Sequence, residues 1–137
     1  MNPIYQCYKP DGFSSVSPYM IVDRPMELLK FLEEAFYAEI LQITRDEVKN
    51  RLANSILALG DARFMISEAS DEFPAMPGTY YLYVKDVDAM HERVLSFGAK
   101  EVFAPQDMPY LDRQSGIQDP SGNYWWLSTR LEDKNYF

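Results

Sequence analysis

Apolar and polar positions alternate along this chain in two rhythms, and each rhythm appears twice. Residues 17–22 (SPYMIV) form an apolar run behind a Ser/Pro entry and predict a strand. Met26, Leu28, Leu29, Phe31, Leu32, Ala35 and Phe36 then recur at helical spacing. Three strand-like runs follow at 38–44, 51–59 and 62–68, and Gly60-Asp61 between the last two is a hairpin signal. The polar, proline-bearing SEASDEFPAMPG predicts a connection between halves. The order then repeats: a strand at 79–84, a helix at 87–97 closed by Gly98, and strands at 102–105, 113–118 and 123–129.

Each half therefore reads as βαβββ. Sliding one half by 62 residues places YMIV on YLYV, and at 61 FYAE falls on FGAK, so an internal duplication accounts for the pattern better than chance. The expected class is α+β, with two βαβββ modules forming a cupped eight-stranded mixed sheet. The expected layout is a single domain, 1–137, with an N-terminal arm (1–15), a first module (16–69), a linker (70–78), a second module (79–130) and a tail (131–137). Such modules bury a helix against one sheet face and leave the other concave, where a ligand would sit. Period-2 alternation puts Met20, Val22, Tyr80, Leu82 and Val84 under the helices and Ser17, Tyr19, Thr79, Tyr81 and Tyr83 on the concave face.

Composition narrows the function. The 137 residues carry a net charge of −8 with no basic stripe, which argues against nucleic acid as a partner. The one cysteine, Cys7, sits in the expected arm and offers neither a bridge nor an activated nucleophile. There is no signal-like opening and no membrane-length apolar run, so a cytoplasmic protein without membrane contact is expected. Ten tyrosines, eight phenylalanines and two tryptophans make a stacking interior plausible.

Four segments, VSPYMIVDRPMELLKFLEEAFYAE, LALGDARFMIS, YLYVKDVDAMHERVLSFGA and YLDRQSGIQDPSGNYWWLST, resemble the vicinal oxygen chelate superfamily of glyoxalases, bleomycin-resistance proteins and extradiol dioxygenases. The last segment is most similar to the PhnB-like branch, through Tyr110, Asp112, Arg113, Asp119, Pro120 and Gly122; Leu111 stands where that branch usually has glycine. The resemblance implies that enzymes of this kind bind one divalent metal through His, Gln or Glu on the first and last strand of each module. Here those positions hold Ser17, Met65, Thr79 and Trp126, which are poor metal donors. The His-Ala-Glu-Leu of the branch is replaced by Asn54-Ser55-Ile56-Leu57. The lone histidine, His91, falls on the second helix, on the convex side.

No metal, cofactor or catalytic residue is therefore assigned. The resemblance that remains is to the metal-free bleomycin-resistance proteins, and it implies binding of a small aromatic or cationic molecule in an aromatic cup. The candidate ligand-binding residues are Ser17, Tyr19, Asn54, Met65, Thr79, Tyr81, Tyr83, Arg113, Tyr124 and Trp126. Asn123 agrees with that comparison. Arg113 reads equally as a site residue or as an ion-pair partner of neighbouring Asp112. Asp119–Gly122 reads as a turn, Trp125 and Leu127 as core, and Glu33-Glu34 as a solvated face. Two alternatives stand beside the binder: a metal-dependent lyase, isomerase or dioxygenase with an unrecognised site built from Glu68, Asn54 or another residue, and a ligand-free dimeric interaction module. The chain is expected to form a homodimer.

Overall fold

A computed structural model describes residues 1–137, in the order β1 (Tyr19–Val22), α1 (Pro25–Phe36), β2 (Glu39–Asp46), β3 (Arg51–Leu59), β4 (Ala62–Glu68), β5 (Thr79–Tyr83), α2 (Val87–Ser96), β6 (Lys100–Asp107), β7 (Asp112–Gln118) and β8 (Tyr124–Arg130). The βαβββ repeat and the mixed α+β architecture are those expected. The eight strands fall into two four-stranded sheets, ordered β1-β4-β3-β2 and β5-β8-β7-β6, each with one parallel pair at its edge. No helix is long and apolar enough to cross a membrane.

The repeat extends to register. Tyr19 pairs with Met65 in the first sheet, and Tyr81 pairs with Trp126 in the second, so the duplication inferred from the sequence places equivalent residues at equivalent points. Strand β1 begins later than the apolar run, because Pro18 has no N–H to give a ladder and contributes only its carbonyl, to Met65 N at 3.1 Å. Strand β6 is longer than the run at 102–105, since its edge position tolerates polar residues at both ends.

One hydrophobic core serves both modules. Met20, Val22, Leu28, Leu32, Leu57 and Ile66 from the first half meet Val87, Val94, Ile117, Trp125 and Leu127 from the second in a single buried cluster. Phe36 at the end of α1 packs edge-on against Trp125 of β8, with ring centroids 5.0 Å apart. Pro25 opens α1 with its preset φ, and Tyr37 closes it in the left-handed conformation at φ 59°. The last-turn carbonyls of α1 are satisfied across the module boundary. Arg93 of α2 donates to Ala35 O (3.0 Å) and Glu34 O (2.6 Å), while its guanidinium lies 4.0 Å from the Tyr37 ring centroid.

His91 lies on the convex side, as read from the sequence, but in a more elaborate setting. It is buried between α2 and the second sheet, with Nε2 2.8 Å from Glu101 Oε1 and Nδ1 2.8 Å from Ser115 Oγ. A carboxylate only accepts, so Nε2–H donates to Glu101, and the Ser115 hydroxyl bonds the other ring nitrogen. The serine, histidine and carboxylate that the sequence scatters over 25 residues are thus aligned. Ser115 is fully buried, so no substrate reaches its oxygen and the alignment holds α2 on the sheet.

Candidate functional site

Each sheet has a concave face turned away from its helix. In the first module Tyr19, Ile21, Arg51, Ala53 and Ser67 line a cavity of about 500 Å³ together with Glu68, Ser70 and Phe73. Ser67 is its polar hub. Its hydroxyl donates to Ala53 O (2.9 Å), with Asn54 Oδ1 at 3.2 Å, which leaves the Tyr19 hydroxyl to donate to Ser67 Oγ at 2.8 Å. Asn54 Nδ2 in turn points at Met65 Sδ, 3.7 Å away. Tyr19, Asn54 and Met65 therefore form one contiguous patch. Ser17 lies just outside it, in the segment preceding β1, with its hydroxyl on Ser14 O at 3.4 Å. The N-terminal arm folds across the rest of this face, where Ile4, Tyr5, Tyr8 and Phe13 enclose about 370 Å³ over Ile56 and Met65.

The second concave face is more aromatic and more polar. Thr79, Tyr80, Tyr81, Tyr110, Gln114 and Trp126 line a cavity of about 320 Å³. Trp126 stands opposite Gly116, where the Phe103 ring leaves no space for a Cβ. Tyr124 flanks Trp126 with ring centroids 6.0 Å apart, and Tyr81 flanks Tyr83 at 5.2 Å. Four of the expected cup residues, Thr79, Tyr81, Tyr124 and Trp126, thus share one surface, and Tyr83 extends it. Gln114, which the sequence reading did not single out, is fixed there by the Tyr110 hydroxyl donating to its Oε1 (2.5 Å) and by its own Nε2 donating to Ser128 Oγ (2.8 Å).

At the end of this face Asp112 is completely buried. It accepts from the Tyr81 hydroxyl, from Arg130 Nη1 at 2.7 Å and from the Tyr136 hydroxyl at 2.5 Å. Burial alone would raise its carboxyl, but the hydrogen bonds from Tyr136, Tyr81 and Arg130 outweigh burial and hold it below the usual carboxylate range. Burial, and then the bond to Asp112, push the Tyr81 hydroxyl up to about 12.

Arg113 does not join this face. Residues 112 and 113 are adjacent on a strand and point to opposite faces, so they cannot pair with each other as the sequence reading allowed. Arg113 reaches the helix side, donating to both carboxylate oxygens of Asp88 (2.7 and 2.8 Å) and to Asp107 (3.0 Å). Asp112 takes Arg130 instead. Asn123 is likewise structural: its Oδ1 accepts from Gly78 N at 2.9 Å and its Nδ2 donates to Asp119, which closes the Asp119–Gly122 turn.

The metal site that the resemblance implies can be tested on its donors. Hydroxyls of Ser17 and Thr79, the Met65 thioether and the Trp126 indole supply no imidazole or carboxylate. No three His, Cys, Asp or Glu side chains anywhere in the chain converge. Glu68 is taken up by β3, its Oε1 accepting from Leu52 N at 3.3 Å. The residues present do not fit a divalent metal at these positions.

Known proteins agree on the fold. The structure of TioX from Micromonospora sp. ML1 superposes with a TM-score of 0.69 over 85% of this chain and 98% of that one, at 21% identity. The fosfomycin resistance protein FosX from Listeria monocytogenes superposes at 0.64 with 15% identity, over 82% and 89% of the two chains. Among curated sequences, an uncharacterized protein of Mycobacterium bovis is 29% identical over 136 residues, covering 88% of this chain and 86% of its own length. The profile of the Glyoxalase/Bleomycin resistance protein/Dioxygenase superfamily matches residues 16–127, and the chain belongs to that superfamily.

Proposed function

We propose that the protein binds a small aromatic or cationic molecule in the cup of its second module, without a metal and without a catalytic step. The observation that carries this reading is the exposure of Tyr81 and Tyr124 beside Trp126 and a hydrogen-bonded Gln114, in a cavity large enough for a single ring system. Aromatics that merely filled a core would be buried, as Trp125 and Phe36 are on the other face. Stacking or cation–π contacts of this kind contribute on the order of 0.5–2 kcal/mol each. The acidic surface favours approach of a cation. The donor set at the family's metal positions speaks against the lyase and dioxygenase alternatives.

The segment from Tyr110 to Gly122 supports a place in the PhnB-like branch, and the exposed Leu41 and Ile43 on edge strand β2 support a homodimer that would cover them. The test is a titration of a panel of planar aromatic and cationic aromatic compounds, read by tryptophan fluorescence and thermal shift. Binding compounds should raise Tm by a few degrees at concentrations well above Kd, and Trp126→Ala should remove both signals. A panel that moves neither signal refutes the reading, as does binding that survives Trp126→Ala undiminished.

A further inference from the structure

The C-terminal tail folds back over the second module and ends in its polar corner. Tyr136 puts its hydroxyl 2.5 Å from Asp112 Oδ2 and 2.7 Å from the Tyr83 hydroxyl. An ionised carboxylate only accepts, so Tyr136 donates to Asp112 and Tyr83 donates to Tyr136. The guanidinium of Arg130 lies 4.3 Å from the Tyr136 ring centroid while its Nη1 holds the other carboxylate oxygen of Asp112. A phenol is thus recognised at three points: an anionic acceptor for its proton, a hydroxyl donor for its oxygen and a planar cation against its ring.

The corner belongs to the sheet and not to the tail. Asp112, Arg130 and Tyr83 lie on β7, β8 and β5, and Tyr81, which shares Asp112 Oδ2, also lines the cup. The tail itself is weakly held. Apart from those of Tyr136, its polar contacts are Arg130 with Lys134 O at 3.2 and 3.3 Å, Leu131 N with Leu111 O, Lys134 N with Glu132 O and the Lys134–Glu132 ion pair; Tyr136 is 53% exposed and Phe137 wholly so. Removing the Tyr136 hydroxyl leaves Asp112 with an open acceptor position, because a carboxylate has about four lone-pair sites.

We propose that Asp112, Arg130, Tyr81 and Tyr83 form a recognition site for a phenolic hydroxyl on an aromatic ring, and that Tyr136 is its displaceable resident occupant. The proposal rests on the cup reading and sharpens it: the ligand is an aryl compound carrying a hydrogen-bond donor, entering alongside Trp126 as the tail leaves. An aryl ether would find the ring contact but face Asp112 without a proton to give.

The test uses 4-methylphenol and 4-methylanisole as probes, titrated into the 137-residue protein and into its Tyr136→Ala variant, with fluorescence and NMR line shifts as readouts. If the tail occupies the site for about nine-tenths of the time, 4-methylphenol should bind the variant about tenfold more tightly than the parent. The anisole should bind at least tenfold more weakly than the phenol to Tyr136→Ala, and adding Asp112→Asn should erase that difference. Equal affinity of the parent and Tyr136→Ala for the phenol overturns the proposal, as does equal affinity of Tyr136→Ala for phenol and ether. Neither of those results touches the cup itself, whereas silence of every aromatic probe in both proteins refutes the cup and the phenol site together.

Discussion

Replacing Trp125 by phenylalanine isolates one hydrogen bond whose strength depends on charge. Trp125 donates from Nε1 to Asp119 Oδ2 at 2.9 Å, and Asp119 is 4% exposed. The carboxylate also receives Asn123 Nδ2 at 3.0 Å and the Ser121 and Asn123 amides at 2.9 and 3.0 Å. Burial raises the Asp119 carboxyl above its ordinary value, and the Trp125 and Asn123 bonds only partly oppose that. A phenyl ring keeps the edge contact with Phe36 and the stack on Tyr80, so packing changes by one or two carbons' worth, about 1 kcal/mol. The lost bond to an ionised acceptor adds about 1.5–3 kcal/mol at pH 7. The total, about 3 kcal/mol, should lower Tm by roughly 10 °C for a chain of this size.

The sign of the pH effect separates the two parts. A carboxyl whose folded pKa is raised contributes stability that is fully present below the unfolded value, about 3.9, and lost as pH rises through the folded value. Removing the indole N–H raises the folded value further, so the penalty is largest at neutral pH. Below the unfolded value the carboxyl is protonated in both states, and the missing bond is then an ordinary neutral one worth about 1 kcal/mol. Urea unfolding of parent and Trp125→Phe at pH 7 and near pH 3.5 should show the difference shrinking by about 1 kcal/mol at the lower pH. The packing change is the same at both and drops out. A difference equal at the two pH values, or larger in acid, would show that the indole acts through shape alone and that Asp119 is not held as a buried anion.

Three further outcomes follow from individual contacts. Asp112 carries the opposite sign to Asp119: its lowered folded pKa contributes stability above about pH 3.9 that is lost as pH falls through the folded value, so Asp112→Asn should flatten the acid limb of a stability–pH curve. Arg113→Ala should leave ligand titrations unchanged and cost little stability, since its exposed bonds to Asp88 and Asp107 lie on the other face; a loss of binding would place it in the cup after all. Leu111 sits at φ 68°, where a β-carbon is strained by about 1–2 kcal/mol, so Leu111→Gly should unfold at higher urea than Leu111→Ala, and the reverse order would remove the strain argument.

The duplicated fold was legible because it is carried by short-range signals. Alternation over 51–59 and 62–68 around Gly60-Asp61 gives β3 and β4 with their observed ends, and the paired offsets of 62 and 61 residues put Tyr19 on Tyr81 and Met65 on Trp126. What the sequence could not convey is pairing between residues far apart on the chain. Asp112 looks like a neighbour of Arg113 and is instead the partner of Arg130, Tyr81 and Tyr136, at separations of 18, 31 and 24 residues. Period 2 was the available signal: it already forbids a pair between adjacent strand residues and directs Asp112 to the face that Trp126 occupies.

The two concave faces have diverged in the kind of cover they receive, and the difference follows from their polar residues. In the first module the hub is a serine, neutral and satisfied within the sheet by Tyr19, Ala53 and Asn54, and beside it Ile56 and Met65 present apolar surface. An arm bearing Ile4, Tyr5 and Phe13 can cover such a surface by hydrophobic contact alone. In the second module the hub is a buried carboxylate, which costs several kcal/mol to desolvate unless donors surround it. Arg130 and Tyr81 supply two and leave acceptor capacity, so whatever covers this face must bring a donor. The chain's own tail brings the Tyr136 hydroxyl. The two hubs are not equivalent positions of the repeat, since Ser67 on β4 corresponds to Ser128 on β8 while Asp112 lies on β7; the modules thus differ in where their polar demand sits, and only Asp112 takes a hydrogen-bond donor from its cover.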